Sequence, residues 1–225
     1  MKFLCLADIH GDREAVEKLK EFARVREIEN ILILGDFPAH GNFNSIKDGK
    51  FVLATLREFN LMVIPGNCDS RELIPLLQEQ GVSLHDAVKF LPGTEIKIAG
   101  FGGSSPTPSN TPLEFEEDYL YEKLSQLLTS GINKEKFILA THVPPKDTNC
   151  DLTSSGEHIG SLAVRKIVEE FQPSLVLSSH VHEAAGKKDK IGKSTIANIG
   201  KLGEGHLGII EIVNGEITLE LTKFL

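Results

Sequence analysis

The sequence predicts an α/β domain built on mixed β-sheet, and three observations predict it. Short apolar runs alternate with stretches of helical periodicity as far as residue 178, the pattern that packs helices onto a sheet. Residues 183–225 carry short strands and turns instead, with Asn214-Gly215 between Ile209–Val213 and Ile217–Leu219 as a type I′ hairpin signal. Several strand ends also finish in residues of metal-ligand type, which places a site at the carboxyl edge of the sheets.

Residues 2–7 read as the first strand. Asp12 caps a helix whose Val16, Leu19, Phe22 and Ala23 recur at helical spacing, and residues 30–34 are a buried strand. Helix-like residues 49–59 lead into a strand at 61–64, and residues 71–80 form a helix stopped by Gly81. Val88, Phe90 and Leu91, then Ile96, Ile98 and Phe101, alternate as a strand pair around Pro92-Gly93. Residues 102–112 hold too many Gly, Pro, Ser and Thr for regular structure; a helix follows at 115–128 and a strand at 136–141. The loop at 143–158 has the length of a functional loop. A helix at 160–171 and a strand at 174–178 complete the alternating part.

The 225 residues, 40% apolar and 25% charged, suit one soluble domain spanning residues 1–225. No run approaches the roughly 20 apolar residues of a membrane span, and Asp8 interrupts the N-terminus before a signal-peptide core forms. Three cysteines imply no disulfide framework, so a cytoplasmic setting is expected. The net charge of -8 argues against an extended nucleic-acid surface, but not against one small nucleotide at a metal site. Nothing in the sequence sets an oligomeric state.

The chemistry collects at the strand ends: Asp8 and His10 after the first, Asp36 after Gly35, Asn67 after Gly66, His142 after 136–141, and His180 and His182 after the last. Singly, each is a cap, a turn former or a loop histidine. Together they occupy one topological place. In an extended strand end, residues i and i+2 face one side, so Asp8 with His10, and His180 with His182, are expected to present two donors each to one locus. Gly35 and Gly66 make room beside the ligands that follow them. Mixed imidazole, carboxylate and amide donors suit Mn²⁺, Fe²⁺, Zn²⁺ or Ni²⁺ better than Ca²⁺. Seven donors exceed the needs of one tetrahedral ion, and two ions sharing a bridging carboxylate account for them. Mn²⁺ is the first choice.

Asp8-Ile9-His10, Gly35-Asp36, Gly66-Asn67-Cys68-Asp69, His142 and Ser179-His180-Val181-His182 resemble the motifs of the calcineurin-like metallophosphoesterases. Thr141–Pro145 and Gly156-x-His158-x-Gly160-Ser161 are similar to the Icc-related prokaryotic branch. The resemblance implies a four-layer αββα sandwich of two mixed β-sheets. It also implies one ion on Asp8, His10, Asp36 and His182, and a second on Asp36, Asn67, His142 and His180. Two positions depart from the pattern: Ser179 stands where the family has glycine, and Cys68 where it has a histidine near the scissile phosphate.

The implied reaction is hydrolysis of a small phosphoester, monoester or diester, nucleotides included, by a water bridging two ions. Catalytic roles are assigned to Cys68, Asp69 and His158. Cys68 is an altered acid position, a small apolar residue or a remnant; Asp69 orients its neighbour or caps a helix; His158 is the substitute acid or a loop histidine. His40 and His85 are weaker acid candidates, and Gly160-Ser161 offers N–H groups to a phosphate or simply caps a helix. The alternatives are a catalytically weak interaction scaffold and, third, a nuclease.

Overall fold

The computed structural model describes residues 1–39, 41, 45–133 and 136–225. The first half alternates strand and helix: β1 (Lys2–Leu6), α1 (Arg13–Val25), β2 (Asn30–Ile33), α2 (Ser45–Thr55), β3 (Asn60–Val63) and α3 (Leu73–Glu79). The strand pair expected around Pro92-Gly93 is β4 (Ala87–Phe90) and β5 (Lys97–Phe101), antiparallel with Val88 opposite Ala99. There follow α4 (Glu117–Gly131), β6 (Phe137–Thr141), α5 (Leu162–Phe171) and β7 (Leu175–Ser178), then β8 (Lys188–Ile191), β9 (Ser194–Asn198), β10 (His206–Val213) and β11 (Glu216–Lys223).

The strands form two mixed sheets, ordered β11-β10-β1-β2-β3 and β4-β5-β6-β7-β9-β8. β1, β2 and β3 run parallel, and so do β5, β6, β7 and β9, while the chain-terminal hairpin joins the first sheet antiparallel to β1. Asn214 and Gly215 take φ of 50° and 74°, the left-handed pair that a type I′ turn requires.

Pleating explains the four layers. In β1, Phe3 and Cys5 point between the sheets, where Leu32, Leu34, Ile98, Ile138, Leu177 and Ile210 also pack. Leu4 and Leu6 point the other way, against Val16, Leu19, Val52, Leu56 and Leu73 of the first three helices and their flanks. Leu139 and Val176 carry α4 and α5 on the far side through Leu120, Leu124, Val164 and Ile167. Each such fully buried side chain contributes roughly 1.5–3 kcal/mol. The result is an αββα sandwich.

Helix boundaries shift where side chains from elsewhere intervene. α2 starts at Ser45 rather than 49, and the Ser45 hydroxyl accepts the Ser70 N–H at 2.7 Å. α1 begins as the sequence implies, with the Asp12 carboxylate accepting the Ala15 N–H at 2.9 Å. No helix among the described residues is long and apolar enough to cross a membrane.

Candidate metal centre

β1, β2 and β3 of one sheet and β6 and β7 of the other send their following loops to a common edge, and these loops carry all seven candidate donors. The loops are tied together by backbone bonds: the Asp8 N–H donates to Gly35 O at 3.0 Å and the His10 N–H to Asp36 O at 2.9 Å. Asp8, His10, Asp36 and His180 have φ of 49°, 46°, 59° and 67°, the left-handed region that only a few per cent of non-glycine residues adopt, Asn, Asp and His most often. These donors therefore leave the strand through left-handed kinks, which corrects the expectation of an extended i, i+2 pair. The kink sends His180 to Asn67 and His142, while His182 joins Asp8 and His10.

Two groups of ligand atoms result. His182 Nε2 lies 3.4 Å from Asp8 Oδ2 and 3.3 Å from His10 Nε2. On the other side His142 Nε2 lies 3.5 Å from Asp36 Oδ2 and 2.9 Å from Asn67 Oδ1, and His180 Nδ1 is 2.8 Å from that same amide oxygen. Asp36 sits between the groups, its Oδ2 also 3.8 Å from His10 Nε2. Asp8 is fully buried, and its Oδ1 has no hydrogen-bond partner among the described residues. An orphaned, buried carboxylate oxygen facing imidazoles is the donor chemistry of a cation site, so these residues fit divalent ions.

The charges are arranged accordingly. Burial opposes ionisation of Asp36, yet His142, His10 and the Cys68 N–H hold it well below the usual carboxylate range. Burial likewise opposes a charge on His142, but Asp36 and Asp8 outweigh it and raise the ring to about 9. Geometry agrees: His142 Nδ1 faces Leu34 O at 2.6 Å and Nε2 faces Asn67 Oδ1, two acceptors that call for two protons. The Leu34 bond keeps a proton on Nδ1 and assigns Nε2 to the ion, and His10 is held similarly through Nδ1 to Pro38 O at 3.3 Å. His180, pushed down by burial and by His142 to about 4, is a neutral ligand throughout the physiological range.

The glycines make room by close approach. A Cβ on Gly66 would stand 2.1 Å from Asp36 Oδ1, and one on Gly35 would stand 1.9 Å from the Gly66 nitrogen. Asp69 lies behind this contact, fully buried, with Oδ2 accepting the N–H groups of Gly66 (2.7 Å) and Asp36 (2.9 Å) and Oδ1 that of Phe37 (3.1 Å). Its carboxylate ties the β3 loop to the β2 loop. Burial and Asp36 push it up, to about 7, against those three donors. Cys68 is half-buried; its N–H donates to Asp36 Oδ1 at 2.9 Å, and burial, then Asp36, Asp69 and Asp8, push its thiol up.

The remaining described candidates have partners of their own. His158 Nδ1 pairs with the buried Asp151 carboxylate at 2.7 Å, and among the described residues no hydrogen bond or ion pair joins it to the seven donors. His85 accepts the Gly102 N–H at 3.0 Å, and burial lowers it to about 4. His40 lies outside the described residues. The α5 N-terminus is already capped: Ser161 Oγ accepts the Val164 N–H, and Glu117 of α4 accepts the N–H groups of Leu162 and Ala163. The N–H groups of Gly160 and Ser161 go to Asp151 Oδ2 and Pro144 O, so of the two readings of Gly160-Ser161 the helix cap holds and the phosphate cradle does not.

Two contacts have no counterpart in the motif spacing. Ser179, buried, donates its hydroxyl to Asp8 Oδ2, so this departure from glycine touches a ligand. Thr111 receives the Asn67 amide; the Thr-x-x-Glu spacing of Thr111 and Glu114 was its one visible signal.

The family model for calcineurin-like phosphoesterases matches residues 1–184. The chain belongs to that family. Membership assigns it metal-dependent phosphoester hydrolysis in general terms. An uncharacterized protein of Methanocaldococcus jannaschii is 32% identical over 88% of this chain and 87% of its own length. The fold is shared with a Thermus thermophilus protein of known structure (TM-score 0.75, 21% identity, covering 100% of this chain and 99% of that one). A dimetal phosphatase from Danio rerio has the same fold (TM-score 0.66, 12% identity, 100% and 96%).

Proposed function

We propose that the chain hydrolyses a small phosphomonoester or phosphodiester at two divalent ions, Mn²⁺ foremost, shared through Asp36. The supporting observation is the convergence of donors from both sheets on Asp36, beside an Asp8 oxygen that is buried without a hydrogen-bond partner among the described residues. Asp8, His10, Asp36 and His182 would hold one ion, and Asp36, Asn67, His142 and His180 the other. When bound, such a pair acidifies the attacking water and neutralises charge on the phosphoryl oxygens.

The chain's own groups do the rest. Asp69 holds the Asp36 backbone N–H, the Cys68 N–H holds the Asp36 carboxylate, and the Leu34 carbonyl fixes the His142 tautomer. A two-ion site supplies its own water nucleophile, so attack by sulfur is not required. On the leaving-group side Cys68 stands where the family has a histidine, so a general acid beside the scissile bond is the weak part of the machinery; His158, oriented through Nδ1 by Asp151, keeps Nε2 for a proton and remains the substitute acid. Esters with good leaving groups are the favoured substrates.

The test is turnover of activated and unactivated phosphomonoesters, phosphodiesters and cyclic nucleotides with Mn²⁺, Fe²⁺, Zn²⁺ or Ni²⁺. Turnover that needs a metal and stops with chelator is expected. Bound metal without turnover of any phosphoester overturns the proposal in favour of a scaffold.

A further inference from the structure

The segment 103–115, which the sequence marks only as a breaker-rich loop, is fastened to the loop that carries Asn67. The Gly103 N–H donates to Pro65 O at 3.0 Å, and the Leu113 N–H to Asn67 O at 3.0 Å. Ser104 and Phe115 close the segment on itself, the Ser104 N–H reaching Leu113 O at 3.2 Å and the Phe115 N–H reaching Ser104 O at 2.9 Å. Asn67 is thus held by its backbone oxygen. Its side chain is held as well, because Nδ2 donates to Thr111 Oγ1 at 2.9 Å.

What stands behind Thr111 decides which way the amide can point. Glu114 accepts four hydrogen bonds, from the Thr111 hydroxyl, the Thr111 N–H (2.7 Å), the Thr107 hydroxyl (2.6 Å) and the Thr107 N–H (3.0 Å). Burial would raise its carboxyl, but these donors outweigh burial and hold it below the usual range. A carboxylate only accepts, so the Thr111 hydroxyl proton is committed to Glu114 and its oxygen offers Asn67 a lone pair alone. Only the NH₂ end of the amide satisfies that lone pair. The carbonyl end is left facing His142 Nε2 and His180 Nδ1. Asn67 is 4% exposed, so a reversed amide would set its NH₂ against the ion with no water to compensate.

We infer that Thr111, backed by Glu114, is a positioning residue that selects the amide orientation in which Asn67 presents its oxygen to the second ion. This rests on the metal site proposed above. Thr111 is not one of the seven donors; it acts through Asn67. The partners of a metal ligand commonly set its affinity by about 10- to 100-fold, and an amide has two chemically opposite ends to choose between.

The experiment is Mn²⁺ titration of the metal-free full chain against a fluorescent chelator, for wild type, Thr111→Val, Thr111→Ala and Thr111→Ser, with melting temperatures alongside. Two binding steps are expected in the wild type. Thr111→Val and Thr111→Ala should weaken one step about 10- to 100-fold and leave the other within about twofold, and Thr111→Ser, which keeps the hydroxyl, should restore both. Thr111→Ala, the smaller change, carries the test if Thr111→Val does not fold. Two wild-type steps that persist unchanged in the variants overturn the inference and leave the metal site standing. So does equal weakening of both steps, which marks a general loss of loop structure. A wild type that takes up fewer than two ions overturns the metal site, and the inference with it.

Discussion

Gly66→Ala tests the geometry of the shared carboxylate. The added Cβ would stand 2.1 Å from Asp36 Oδ1, 2.5 Å from the Asp36 nitrogen and 2.7 Å from Cγ. Asp36 cannot rotate away cheaply, because its Oδ1 accepts the Cys68 N–H at 2.9 Å and its own N–H donates to Asp69 Oδ2 at 2.9 Å. Restoring contact distance moves the carboxylate by roughly 1 Å, a misplacement that costs on the order of 10²-fold in rate when the group serves the reaction directly. The stability cost of overpacking is smaller, about 1–3 kcal/mol. The variant should therefore fold, melt a few degrees lower, bind both ions more weakly and lose about two orders of magnitude in kcat/KM. Gly81→Ala is the control: its φ is 72° but its Cβ meets nothing within 4 Å, so it should cost stability alone, about 1 kcal/mol. The assays are metal content by mass spectrometry, thermal melting and steady-state hydrolysis of an activated diester. A Gly66→Ala protein with wild-type metal content and turnover would refute a central Asp36.

Cys68→Ala should keep kcat within about threefold on activated esters, while Cys68→His should raise it by about 10-fold or more on esters with poor leaving groups, where a general acid matters; a large loss in the alanine variant would make the thiol a participant. Asp69→Asn removes the charge that three buried N–H groups share and should cost roughly 3 kcal/mol, or about 6–10 °C in melting temperature, read by calorimetry. His142 is raised from 6.5 to about 9 in the metal-free chain. Its contribution to metal-free stability is therefore complete below 6.5 and is lost as pH rises through about 9. Metal must displace that proton from Nε2, so Mn²⁺ affinity should weaken as pH falls from 9 to 7, with about one proton released per chain in calorimetry across buffers.

The layers were legible because helical and strand periods differ and because parallel strands buried on both faces read as unbroken apolar runs such as Phe137–Ala140. The hairpin was legible because two left-handed residues in succession almost require Asn-Gly. The seven donors were legible as a set because parallel strands deliver their carboxyl ends to one edge. Their division between two groups came only through the resemblance of the motifs, not from spacing, since it depends on left-handed kinks at Asp8, His10, Asp36 and His180 that no local pattern announces. The partners of the ligands were hidden for a related reason. Ser179 and Asp8 are 171 positions apart, and Thr111 and Asn67 are 44 apart; only the two-sheet packing brings them together. Glu117 at the α5 N-terminus is the same kind of case, a cap supplied by another helix.

Anomalous diffraction from crystals of the Mn²⁺-loaded protein tests the central claim most directly. The account predicts two peaks flanking Asp36, its carboxylate a ligand to both, with Asp8, His10 and His182 around one and Asn67, His142 and His180 around the other. A single peak, or two peaks that do not share Asp36, would contradict it.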